Sequence, residues 1–218
     1  MKVAVLGTGI AGRTIGSKLV SLGHEVAMGS RTADNKSAVA WAREAGDLGR
    51  AGTFEDAAAF GDVVVNATVG VFSLAALESA GADNLKRKVL IDVANPLDFS
   101  RGFPPTLSIV NDTSLAEEIQ RAHPEALVVK SLNTVGADVM VNPGMLPGPH
   151  NIFLSGNHGE AKALVSGLLE SFGWRRDDIV DLGDITTARG VEMYLPLWLK
   201  FFGAFGTGHL NVHVVVAR

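Results

Sequence analysis

The chain has 218 residues, 47% of them apolar, no cysteine and a formal net charge of −4. This length holds one large domain, or a domain with an appendage, and this apolar fraction excludes intrinsic disorder. Lack of cysteine excludes a disulfide framework, a thiolate nucleophile and any Cys-based metal site, and the acidic balance gives no general attraction to nucleic acid or anionic membrane.

Met1 and Lys2 lead directly into a strand pattern. The basic, apolar and small-residue regions of a signal peptide are not seen, so a cytoplasmic protein is expected. Strands are predicted over 3–6, 24–28, 62–67, 88–93, 126–131, 151–155 and 179–182. Helices are predicted over 11–22, 38–45, 56–60, 74–79, 114–121 and 159–172, with Ile15, Leu19 and Leu22 at helical spacing and Gly23 closing the first. Residues 142–150 (NPGMLPGPH) read as a loop near the site. This alternation predicts an α/β fold of the NAD(P)-binding Rossmann type over 1–183, with a doubly wound, mainly parallel sheet. A short apolar helical tail over 184–218 packs on it in one compact unit. The tail's apolar stretch is interrupted by Glu192, Pro196, Lys200 and Gly203, which excludes a membrane span. A helix apolar on nearly all sides must be buried, and packing combined with a homodimer contact is the favoured reading.

Gly7-Thr8-Gly9-Ile10-Ala11-Gly12 is a GxGxxG placed after a strand and opening a helix, the context in which the motif marks a dinucleotide site. Gly7 allows the tight turn, Gly9 the approach of a pyrophosphate, and Gly12 close helix-strand packing. An NAD site ends its second strand on Asp or Glu to bind the ribose hydroxyls. Here Gly29-Ser30-Arg31-Thr32 stands instead. A hydroxyl and a guanidinium suit a 2′-phosphate, with Lys36 adding charge a turn later, so the expected cofactor is NADP(H). Ala67, Thr68 and Gly70 follow the next strand and let ribose and nicotinamide come close to the backbone.

The loops holding Asn95-Pro96 and Asn133-Thr134 should open on the same edge, where Asn95, Asn133 and Thr134 can hydrogen-bond carboxamide or ring oxygens. No Ser-His-Asp set, paired carboxylates or HExxH appears, and the six histidines read as turn or surface residues. No catalytic residue and no metal ligand is therefore assigned. Carbonyl or imine reduction calls for a proton donor beside the hydride, whereas exchange between two bound redox rings requires stacking, orientation and exclusion of water.

The runs VAVLGTGIAGRTIGSKLVSLGHEVAMGSR, ANP, KSLNTVGA, FLSGN and DLGD resemble the NADPH-dependent coenzyme F420 reductases, within the broader F420-dependent NADP oxidoreductase family. The reductase domains of the STEAP metalloreductases share the architecture. The resemblance implies that Thr8, Gly9, Ile10 and Ala11 line the pyrophosphate and that Ser30, Arg31 and Lys36 hold the 2′-phosphate. It places Gly70, Leu74 and Ala137 near the nicotinamide, and implies hydride transfer between NADP(H) and a deazaflavin, coenzyme F420, as co-substrate. Asn133 stands where the archaeal members carry His, and the 142–150 loop is unfamiliar there. An NADPH-dependent flavin or ferric reductase and a non-catalytic NADP(H) sensor are the alternatives.

Overall fold

The computed structural model describes residues 1–217. Ten strands run in chain order: β1 Lys2–Leu6, β2 Glu25–Ser30, β3 Gly49–Thr53, β4 Val63–Asn66, β5 Val89–Asp92, β6 Leu97–Asp98, β7 Thr106–Leu107, β8 Leu127–Lys130, β9 Ile152–Gly156 and β10 Ile179–Asp181. The helices are α1 Ile10–Ser21, α2 Lys36–Ala45, α3 Phe54–Phe60, α4 Ser73–Ala80, α5 Ala82–Leu85, α6 Leu115–Ala122, α7 Ala137–Val141, α8 Gly159–Phe172, α9 Ala188–Met193 and α10 Leu195–Phe205.

Eight strands form one sheet in the order β10-β9-β8-β5-β4-β1-β2-β3. The six from β3 to β8 are mutually parallel. This is the doubly wound Rossmann order, with its topological switch point between β1 and β4. β9 pairs antiparallel to β8 through Val129↔Gly156 and Lys130↔Ser155, and β10 runs parallel to β9. The 131–151 connection holds α7 and one 3-10 turn, Pro143–Met145, and brings the chain back beside β8 in the opposite sense.

The inner strands β1, β2, β4, β5, β8 and β9 are buried on both faces, and their alternation sorts side chains into two cores. Val3, Val5, Val26, Met28, Val63 and Val65 pack with Ile15, Leu19, Trp41, Val165 and Phe172 from α1, α2 and α8. Ala4, Leu6, Ala27 and Val64 pack with Ala57, Leu77, Leu85, Leu115 and Ile119 from α3 to α6. Each fully buried Leu, Ile or Val contributes about 1.5–3 kcal/mol, so the two layers fix the register of the inner strands.

Three features depart from the sequence reading. The edge strand β3 was not expected, because GRAGT has two glycines and no β-branched residue before its last position. Helix α3 begins two residues earlier than predicted, where a capping box pairs the Thr53 and Asp56 side chains with each other's backbone. The third correction concerns α10. Of this helix only Leu195 is buried, while Leu197, Phe202 and Phe205 are exposed. The sheet faces are already covered by other helices, so α10 finds no buried berth within its own chain.

Candidate active site

The loops leaving β1, β2, β4, β5 and β8 meet at the C-terminal edge of the parallel strands, where ligands of open α/β sheets bind. Gly7 has φ +117°, and a Cβ there would lie 2.4 Å from the Ala67 carbonyl oxygen. A Cβ on Gly12 would lie 2.1 Å from the Gly7 carbonyl oxygen. Both glycines are thus required by the protein's own packing. Gly9 meets nothing within 4 Å, so the protein's own packing does not require a glycine there. It is also the N-cap of α1, whose first turn has no side-chain cap and no acidic residue. Such a terminus favours a phosphate through its N–H groups and partial positive charge. These features fit a dinucleotide pyrophosphate, with Thr8, Ile10 and Ala11 on the same turn.

Arg31, just past β2, and Lys36, the first residue of α2, are exposed. Neither has an ion-pair partner among the described residues. Ser30 is buried, and its hydroxyl donates to the Thr32 carbonyl at 2.6 Å. It shapes the Arg31 turn rather than presenting a free donor.

Gly70 is pressed against the next loop, since a Cβ there would lie 2.0 Å from the Asn95 carbonyl oxygen. Pro96 is buried in that contact. Ile10, Val69, Phe72 and Leu74 expose apolar surface beside the crevice, Ile10 to 70% and Phe72 to 66%. An apolar rim of this kind suits a planar ring. Asn95 and Asn133 lock the two loops together: Asn95 Nδ2 donates to the Asn133 carbonyl at 2.8 Å, and Asn133 Nδ2 donates to Asn95 Oδ1 at 2.9 Å and to the Val191 carbonyl at 3.0 Å. Both Asn133 amide hydrogens are therefore held inside the fold. Ala137 opens α7, just after Gly136, whose Cβ would strike the Gly208 carbonyl oxygen at 2.6 Å. The returning C-terminal segment thus passes over this loop.

Beneath these loops lies a buried polar network absent from the sequence reading. Lys130 is fully buried, and its ammonium donates to Asp92 at 2.8 Å, to Glu192 at 2.8 Å and to the Ala94 carbonyl. These contacts match its three N–H groups one to one. Burial by itself pulls the Lys130 ammonium down, but Asp92 and Glu192 outweigh it and hold it above the ordinary lysine value. Asp92 also accepts from Asn66 Nδ2 at 2.8 Å, and Thr68 Oγ1 donates to Asn66 Oδ1 at 2.7 Å. Glu192 accepts from the backbone N–H groups of Leu115 and Ala116 at 2.8 and 3.1 Å, which neutralises the α6 N-terminus. Three residues earlier on α9, Arg189 makes a two-pronged pair with Glu117 at 2.8 and 2.6 Å. The Arg189 hydrogen bond, opposed by burial, keeps the Glu117 carboxyl below its ordinary range. α9 is thereby docked on α6, and Lys130 ties that docking to the Ala94-Asn95 turn. The available signal was a charge inside each of three apolar runs (LID, LVVK and GVEM), because charges so placed are paired.

Two histidines also depart from expectation. His123 and His150 are buried. His150 contacts the Pro143 carbonyl and the Asn211 amide at 3.1 and 2.9 Å and packs edge-on against Trp174. Burial lowers the His123 imidazole.

A glycine-framed crevice at the β1–β4 switch point, with free cations beyond β2, defines a nicotinamide-dinucleotide-binding protein of the Rossmann class. Known proteins narrow that class. Residues 2–96 match the family model described as NADP oxidoreductase, coenzyme F420-dependent. The chain is 30% identical over 210 residues to the F420-dependent NADP reductase of Methanothermobacter marburgensis, covering 92% of each. It is 30% identical over 204 residues to the metalloreductase STEAP3 of Rattus norvegicus, covering 90% of this chain but 38% of that protein. A crystallised Arthrobacter sp. FB24 protein assigned as an F420-dependent NADP-reductase superposes with TM-score 0.93 at 51% identity, over 99% of this chain and 100% of that one. The chain belongs to the F420-dependent NADP oxidoreductase family and is an NADP-dependent oxidoreductase.

Proposed function

We propose that the chain transfers a hydride between NADP(H) and the deazaflavin coenzyme F420, in the cytoplasm and as a homodimer. The observation that carries this reading is the charge inventory below the crevice. Lys130, Asp92 and Glu192 satisfy one another under the loops, and Asn95, Asn133 and Thr134 above them are amides and a hydroxyl. That arrangement suits ring-to-ring exchange, in which the reduced ring delocalises the charge that the hydride brings and takes its proton from solvent, so orientation and dryness matter more than a built-in proton donor.

The nicotinamide supplies the hydride chemistry when bound. The chain's residues bind and orient. Gly7, Gly9, Gly12 and the first turn of α1 hold the pyrophosphate, and Arg31 with Lys36 holds the 2′-phosphate. Ala67, Gly70 and Ala137 leave room for the nicotinamide end, and Ile10 and Leu74 exclude water from its faces. The name of the Methanothermobacter relative supports F420 as the second substrate. The similarity to STEAP3 supports a second reading, NADPH-driven reduction of a flavin or ferric acceptor. The exposed apolar surface of α10, including Leu197 and Phe205, supports the homodimer. No described helix is long and apolar enough to cross a membrane.

The test mixes purified protein with NADPH, and separately with NADH, adds F420, FMN or FAD, and follows nicotinamide absorbance. NADPH-specific reduction of F420 is expected. Turnover of FMN or FAD alone establishes the second reading, and turnover of none of the three refutes the hydride assignment.

A further inference from the structure

Beyond α10 the chain returns as a strap, residues 206–217, without helix or strand. The strap crosses the loop after β8, where its Gly208 carbonyl abuts Gly136, and there His209 Nε2 stands 3.1 Å from an Asp138 carboxylate oxygen. Farther along it is fastened to the start of β9. The Asn151 N–H donates to the Val212 carbonyl at 2.9 Å. Asn151 Oδ1 accepts from the Val214 N–H at 2.7 Å and from His213 Nδ1 at 3.1 Å. Asn211 Nδ2 completes the attachment, 2.8 Å from the Asn151 carbonyl and 2.9 Å from Nδ1 of the buried His150.

These partners fix where the His150 proton sits. The Pro143 carbonyl, 3.1 Å from Nε2, can only accept, so Nε2 carries the hydrogen and Nδ1 is bare. Asn211 cannot turn its amide round to suit a change at Nδ1. Its Oδ1 accepts from the Val212 N–H at 2.8 Å while its Nδ2 donates to the Asn151 carbonyl, and a flip would set oxygen on oxygen and N–H on N–H. A proton on Nδ1 therefore aims one N–H at another inside the fold, and a buried donor without an acceptor costs free energy. The other two strap histidines behave differently. His213 needs only a donor at Nδ1, which the neutral ring and the imidazolium both supply. His209 faces the Asp138 carboxylate, which favours the imidazolium. The other charges on the elements around His150 are Arg175 and Asp178, which pair with each other at 3.8 Å, and the turn at 143–145 carries none. His150 has no ion-pair partner among the described residues. We propose that His150 and Asn211 form a proton-operated clip. Neutral His150 holds the strap against the start of β9, and a proton on Nδ1 releases residues 211–217. His209 keeps its tie to Asp138, so the strap swings away from β9 about that point and stays attached over the loop after β8.

The experiment follows amide hydrogen exchange in the whole chain by NMR at two acidities, with rates corrected for the intrinsic effect of pH. An imidazole free of the clip takes its proton near pH 6.5 and the closed clip admits none, so opening should become about tenfold more favourable between about pH 7.5 and about pH 5.5. Protection of the Asn151 and Val214 amides should fall by that factor in wild type, while the amides of β1 keep theirs. His150→Gln supplies one donor and one acceptor without a titrating group, and its protection should be the same at both acidities. Asn211→Ala keeps His150 but removes its strap partner, and should leave Val214 poorly protected at both. Wild-type protection that does not respond to pH overturns the inference, as does an equal fall in His150→Gln or a fall that β1 shares. Should His150→Gln not fold, Asn211→Ala decides: a fall of wild-type size on acidification in that variant overturns the clip, and its absence supports it.

Discussion

Replacing Lys130 with Met tests the buried network most directly. The side chain has similar length, so packing is nearly kept, while the cation shared by two carboxylates is removed. Lys130 and Asp92 are fully buried and Glu192 is 1% exposed, which places the change among broken buried ion pairs, worth about 3–5 kcal/mol. Asp92 keeps Asn66, and Glu192 keeps two N–H donors from α6, so a loss near 3 kcal/mol is expected. Against a typical total of about 5–15 kcal/mol, that shift is large in a urea melt. Adding Glu192→Gln should recover about 1 kcal/mol or more by removing one uncompensated charge. A raised folded-state value means that Lys130 stabilises at pH below its ordinary 10.5 and that this contribution is lost only as pH rises through the folded value. The Lys130 contribution to wild-type stability should therefore stay flat across neutral pH. A loss under about 1 kcal/mol, or a double variant weaker than the single, would refute the account of a shared cation.

Arg31→Ala should weaken NADPH binding by about 1.5–3 kcal/mol with little effect on NADH. Equal loss for both nucleotides in a binding titration rejects the 2′-phosphate assignment. Gly9→Ala should leave the thermal midpoint near wild type, since its Cβ meets nothing within 4 Å, yet weaken NADPH binding. Gly12→Ala should cost about 1–3 kcal/mol of stability or more and lower the midpoint accordingly, because its Cβ would lie 2.1 Å from the Gly7 carbonyl oxygen. If the two variants melt alike, this distinction fails. Glu117 has a lowered folded-state value, so its contribution is present above about pH 4.5 and is lost as pH falls through that lowered value. Arg189→Leu should flatten that acid limb, read as stability against pH, and an unchanged limb argues against the pair.

The first half of the chain was the more legible in the sequence. The β-branched runs of β1, β4 and β5 and the glycines at 7, 9 and 12 depend on local rules of strand burial and turn geometry, which a linear reading can apply. Arg31 in place of an acidic residue is likewise a local fact with a chemical meaning. Strand β3 was missed because an edge strand can form from GRAGT once β2 offers its hydrogen bonds, whatever its intrinsic preference. The reversal at β9, the docking of Glu192 on α6 and the meeting of Lys130 with residues 38 and 62 positions away are long-range events. Periodicity and the glycine motif at 7–12 by themselves determined an α/β dinucleotide-binding chain. Only the tertiary structure decided which charges neutralise one another and that α10 stays exposed, because each depends on what the fold brings alongside.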